Sequence, residues 1–173
     1  DPTHDRFTAL QGLLNSFGPG ANVRIGLVFF ADTASTAVQL TSVSSAAGAI
    51  NSALTAHANP NGSTAIGRGI QAATSEFSAH GTSGASKVMI VFTDGGETDN
   101  SNPEGAATTA AAQGIRVNVV DLGGNTANQQ IAQAGGGTVL MASDSQQLAD
   151  MFRSAQLVGI SSIEVMNSTT GQA

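Results

Sequence analysis

Asp94 follows the run Val88-Met89-Ile90-Val91-Phe92-Thr93 and precedes Gly95-Gly96, so a buried-type strand delivers one carboxylate onto a glycine turn. An apolar run bounded by Lys87 and two glycines fits a central parallel strand, which is covered on both faces and shows no alternation. Ligands of open α/β sheets gather at the carboxyl ends of such strands. Asp94 is therefore aimed at something beyond the sheet edge. Glu97 and Asp99 follow in the same loop; they could shape ligand choice, hold a second cation, or form a solvated acidic loop. Asp121 ends another apolar strand and fits a hydrogen bond to the adjoining loop better than catalysis. Asp32 fits the geometry of a turn.

Covalent and acid–base chemistry find little to work with. His4, His57 and His80 sit in or beside apparent loops, with no paired carboxylate spacing and no serine elbow nearby, and read as surface histidines. No catalytic residue and no organic-cofactor site is predicted. Gly123-Gly124 after a strand hints at a phosphate cradle, but the Gly-x-Gly-x-x-Gly spacing is absent. Six Lys plus Arg against twelve Asp plus Glu, a net charge of -6, leave no basic stripe to neutralise phosphates. Nucleic acid is excluded as a partner on that ground, and a cation suits the chain better. The chain has no cysteine, which excludes a disulfide framework and a thiolate zinc site.

The elements that must position Asp94 alternate along the chain. Phe7, Leu10, Leu13, Leu14 and Phe17 recur at helical spacing and predict an amphipathic helix over 7–17, stopped by Gly18-Pro19-Gly20. A strand over 23–30 and a short one over 37–40 flank a turn at Asp32-Thr33. A helix over 44–57 is broken by Asn59-Pro60-Asn61-Gly62, and Ser63 or Thr64 opens a third helix over 65–77. After the strand that ends at Asp94, Pro103 suits the first position of a helix running to Gln113. A strand over 116–122, a helix over 127–134, a strand over 138–142 and a helix over 143–157 complete the series. Strands alternating with helices predict an α/β class, a doubly wound and mostly parallel open sheet with helices on both faces.

With 173 residues, 40% of them hydrophobic, the chain supports one sizeable core. We expect a single domain over 1–157, with 158–173 a linker or the first strand of a following module. No apolar run approaches the roughly 18 residues that span a membrane, and the start has no signal-peptide layout. A lone lysine, Lys87, beside abundant Ser, Thr, Asn, Gly and Ala is a composition of exported bacterial surface proteins.

Three stretches in this order, 23–32, Gly62-Ser63-Thr64-Ala65-Ile66-Gly67-Arg68-Gly69-Ile70 and Ile90-Val91-Phe92-Thr93-Asp94-Gly95, resemble the von Willebrand factor type A domain. The later Gly114-Ile115-Arg116-Val117 and Ile131-Ala132 followed by Gly135-Gly136-Gly137 are similar too, so the likeness covers roughly 7–157. Taken jointly these pieces are specific. The resemblance implies a divalent ion, Mg2+ or Mn2+, at the top of the sheet, in an oxygen-only site completed by a carboxylate of a protein ligand or partner subunit. Thr64 matches the threonine of the family's second metal loop and Asp94 the aspartate of its third, which makes them the implied metal residues, with Glu97 and Asp99 as rim candidates. The implied function is non-enzymatic adhesion or ligand recognition; the alternative is a metal-free structural or assembly scaffold.

The family's principal metal loop, Asp-x-Ser-x-Ser after a first, central strand, does not precede the helix at Phe7, and Asp1-Pro2-Thr3 stands where many members run on from it. Asp32-Thr33-Ala34-Ser35-Thr36 follows a different strand and is no substitute. A sheet lacking its central strand would expose two rows of unpaired backbone groups. Residues upstream, a fold-back of Ile160 to Val165, or a strand from a partner chain could fill the gap; upstream residues are the first expectation.

Overall fold

The computed structural model describes residues 5–18, 20–56, 62–141 and 162–168. In chain order these form α1 (Asp5–Ser16), β1 (Arg24–Phe30), β2 (Ala34–Ser42), α2 (Val43–Ala56), α3 (Ile66–His80), β3 (Lys87–Thr93), α4 (Pro103–Ala112), β4 (Ile115–Asp121), α5 (Ala127–Ala134), β5 (Gly136–Met141) and β6 (Ser162–Ser168). The helix expected over 143–157 lies outside the described residues, as do His4 and His57.

One sheet of six strands in the order β2-β1-β6-β3-β4-β5 runs through the domain. All neighbours pair in parallel except β2, which lies antiparallel on β1 at one edge. Pleating sends alternate side chains to opposite faces, and the strands use both. Ile25, Leu27 and Phe29 of β1 with Val88, Ile90 and Phe92 of β3 join Leu10, Leu13, Leu14, Ile50 and Leu54 of α1 and α2. Val28 and Phe30, with Met89, Val91, Val117 and Val119, join Ile66, Ile70, Phe77, Ala107 and Ile131 of α3, α4 and α5 on the other face. Two apolar layers against one sheet are the doubly wound arrangement that the alternation of elements predicts.

The place between β1 and β3 is filled by β6. Ile163 is in register with Ile25 and Val88, and Val165 with Leu27 and Ile90. The inner edges of β1 and β3 are thereby paired along their length, which removes the exposed rows that an absent central strand would leave. Of the three alternatives the one seen is the fold-back of Ile160 to Val165, shifted to Ser162–Ser168, and not the first expectation of upstream residues in that place.

Two elements differ from their sequence limits for local reasons. α3 runs beyond Phe77 to His80, because buried Glu76 extends its polar network past the last apolar residue. It accepts from the Leu40 amide at 2.7 Å and pairs with His80 Nδ1 at 2.8 Å. β5 begins at Gly136, two residues before the strand expected over 138–142. A Cβ at Gly137 would overlap the Val117 carbonyl and one at Gly135 the Val117 side chain, so these glycines let the chain press against β4.

Candidate functional site

The carboxyl ends of β1, β6, β3 and β4 meet at one edge, at Phe30, Ser168, Thr93 and Asp121. Three loops are knitted together there by backbone bonds. The Ala65 amide donates to Ala31 O at 3.0 Å, joining the loop before α3 to the turn after β1. Thr64 is held on both sides by one residue of the loop after β3: its amide donates to Thr98 Oγ1 at 2.8 Å, and its carbonyl accepts from the Thr98 amide at 2.9 Å. Leu122 N donates to Thr93 O at 2.9 Å and fixes the end of β4 beside the turn that carries Asp94. Thr64 is 1% exposed, and Asp94 is half-buried between Thr93 and Gly95.

The remaining carboxylates of this edge brace the loops. Asp32 does more than shape its own turn: its Oδ1 accepts from both the amide and the hydroxyl of Ser63 at 2.6 Å. Those bonds, the hydroxyl first, lower its pKa below the ordinary carboxylate value although it is fully exposed. Glu97, a rim candidate by sequence, accepts four hydrogen bonds, from Gly67 N at 3.3 Å, Asp99 N at 2.9 Å, Ser101 N at 3.1 Å and Ser101 Oγ at 2.8 Å. Burial raises its pKa, but the bonds from Ser101, Asp99 and Gly67 outweigh that effect and hold it below its ordinary 4.5. Asp99, the other rim candidate, pairs with Arg68 at 2.7 Å.

Thr64 does not cap α3. Ala65 occupies the N-cap without a side-chain cap bond, and Glu97 supplies the acceptor instead, reaching the Gly67 amide in the first turn. A carboxylate there satisfies one of the orphan amides and complements the helix dipole. Sequence reasoning missed this because the two residues are 30 positions apart, and no local pattern marks the contact. The Thr64 hydroxyl is consequently not consumed as the N-cap of α3.

Asp94 and Thr64 therefore sit on loops that share hydrogen bonds at the topological edge of the sheet. Their donor atoms, a carboxylate and a hydroxyl oxygen, fit a hard divalent cation in kind. Among the described residues no group of three or more His, Cys, Asp or Glu is positioned for a metal, so water and ligand oxygens would complete the coordination. In open α/β sheets the carboxyl edge where loops gather is the place where ligands bind.

The model of the von Willebrand factor type A domain matches residues 6–154, and the chain belongs to this family. Solved structures with the same fold include BatB from Bacteroides thetaiotaomicron, at 24% identity and a TM-score of 0.68 over 90% of this chain and 87% of that one. An aerotolerance-related membrane protein from Bacteroides fragilis aligns at 20% identity and a TM-score of 0.69, over 87% and 85%. Proximal thread matrix protein 1 from the mussel byssus aligns at 22% identity and a TM-score of 0.71, over 91% of this chain and 41% of that protein. None of the curated proteins compared matches the chain. Among the described residues no helix is long and apolar enough to cross a membrane.

Proposed function

We propose that this domain is a non-enzymatic recognition module of an exported bacterial surface protein, which binds a carboxylate of a protein partner through Mg2+ or Mn2+ held by Asp94 and Thr64. The observation that carries this reading is the knitting of the 31–33, 62–65 and 94–99 loops at one sheet edge, which holds a carboxylate and a hydroxyl on a common rigid frame. Family membership supports it. So does a form of the mussel thread protein described with its MIDAS motif occupied by zinc, which aligns at 21% identity and a TM-score of 0.67. The bacterial membrane protein among the structural neighbours supports the surface assignment.

When bound, the ion supplies a positive centre that orients and polarises an incoming acid. The chain's own part is to hold the turn that carries Asp94, with Thr64 fixed by Thr98 and the adjoining loop clamped by Glu97. In an Mg2+ titration followed by calorimetry, Asp94→Asn should bind at least tenfold more weakly than the wild type, and Thr64→Ala should bind more weakly too. Equal affinity in the wild type and Asp94→Asn removes the metal role. That result would favour the second reading, a metal-free assembly scaffold, for which the observation is that Asp32, Glu97 and Asp99 are engaged by the protein itself.

A further inference from the structure

Asp121 and Asn128 form a buried polar corner that the carboxyl-edge site does not use. Asp121 ends β4 and is 2% exposed; Asn128 lies in the first turn of α5 and is 0% exposed. Pleating places Asp121 on the face of Val117 and Val119, which pack toward α4 and α5. Its register partner Thr93, 1% exposed, shares that face with Met89 and Val91. Asn128, three residues before buried Ile131 on α5, meets the turn after Thr93 through Gly95.

Both residues are tied to the turn that carries Asp94. Asn128 Nδ2 donates to Gly95 O at 3.3 Å, and that carbonyl also accepts from Thr93 Oγ1 at 2.7 Å. Asp121 Oδ1 accepts from the Gly123 and Gly124 amides, each at 2.9 Å. Gly123 lies so close to the Asp94 carbonyl that a Cβ there would overlap it.

Two oxygens remain over. Asp121 Oδ2 and Asn128 Oδ1 are buried and have no hydrogen-bond partner among the described residues. Both are acceptors, so neither can satisfy the other. The ion pairs seen among the described residues are Arg68 with Asp99 and His80 with Glu76, and Asp121 belongs to neither. A buried carboxylate is tolerated when paired with a positive charge or a metal. A water molecule could donate to both oxygens but would leave the charge uncompensated. A cation answers both needs, and a carboxylate plus an amide oxygen, completed by water, is a donor set for a hard ion of flexible coordination.

We propose that this corner between β4 and α5 is a second cation site, of the calcium type, with Asp121 Oδ2 and Asn128 Oδ1 as its protein ligands. It lies at the same sheet edge as Asp94 and Thr64 but differs from that site in its ligands, which come from β4 and α5. One carboxylate gives weak affinity, on the order of 10⁻⁴ to 10⁻³ M, the range of extracellular calcium modules. An ion there braces the turn that presents Asp94, because Asn128 holds the Gly95 carbonyl and Asp121 holds Gly123, which lies against the Asp94 carbonyl.

The test uses the full chain freed of metal with EDTA and titrated with calcium, read by melting temperature and by equilibrium dialysis with radioactive calcium. At ten times Kd the melting point should rise by roughly 3–5 °C. Asp121→Asn, which keeps the acceptor for Gly123 and Gly124, should abolish the rise and melt no lower than the calcium-free wild type, because the uncompensated charge is gone. Asn128→Asp adds a carboxylate and should tighten calcium binding about tenfold. A calcium response that Asp94→Asn removes and Asp121→Asn keeps would assign the ion to the edge under Proposed function and overturn this site. A wild type that neither binds calcium nor gains stability overturns the proposal, and so does an Asp121→Asn chain that binds like the wild type.

Discussion

Glu97→Ala removes four hydrogen bonds at once, from Gly67, Asp99 and twice from Ser101. Bonds to a charged group contribute about 1.5–3 kcal/mol when buried and less when part-exposed. Taking about 1 kcal/mol for each of the three shorter ones, and little for the long bond to Gly67, the loss is about 3 kcal/mol. For a domain of this size that is a fall of roughly 6–12 °C in melting temperature. Glu97→Gln keeps the shape and an acceptor for the Asp99 and Ser101 amides but sets an NH2 group against the Gly67 amide; about 1–2 kcal/mol is expected. The pH dependence carries a sign. Because the folded pKa of Glu97 is lowered from its ordinary 4.5, its ionised form stabilises the fold above that unfolded value. That contribution is lost as pH falls through the folded value. The gap between wild type and Glu97→Gln should therefore be full at pH 7 and shrink progressively below about pH 4. Urea unfolding of the three proteins at pH 7 and pH 3.5 measures both effects. A Glu97→Ala protein within about 0.5 kcal/mol of the wild type at pH 7, the range of an ordinary surface change, would refute the clamp.

Three other perturbations probe the frame. Gly123→Ala sets a Cβ against the Asp94 carbonyl, so it should cost about 2 kcal/mol or more and weaken Mg2+ binding; a neutral change in both, by unfolding and calorimetry, contradicts the close approach. Deleting 162–168 takes away the strand paired with both β1 and β3, and circular dichroism should show loss of cooperative unfolding; a chain that still melts in one sharp step means β6 is dispensable. Arg68→Ala breaks only a pair that is 49% and 30% exposed, so denaturant unfolding should change by under about 1 kcal/mol, and a larger loss would show that the arginine holds the loops together.

The legible parts of the fold are those where burial imposes a local period. The run Val88 to Phe92 is buried throughout, and β3 stands where an unbroken apolar stretch demands it. α5 spans Ala127–Ala134, within the limits that Gly123-Gly124 and Gly135 set in the sequence. β2 extends well beyond 37–40, because an edge strand exposed on one side carries Ala34 to Thr36 without an apolar signature. The central strand was the hardest to read. Glu164 and Asn167 interrupt Ile163, Val165 and Met166, so β6 lacks the continuous apolar run of a strand covered on both faces; only pairing across a long stretch of chain reveals its place. The site divides the same way. Asp94 announces itself through its strand, whereas the engagement of Asp32 by Ser63 and of Glu97 by Gly67 spans 31 and 30 positions and leaves no local mark.

Crystals of the chain soaked in Mn2+ and measured for anomalous scattering address the metal role of Asp94 and Thr64 most directly. The account predicts an anomalous peak at the carboxyl edge, about 2.0–2.3 Å from an Asp94 carboxylate oxygen, with the Thr64 hydroxyl ligating directly or through one water, and no peak there in Asp94→Asn. A wild-type crystal with no peak beside Asp94, or a peak unchanged in the variant, would contradict it.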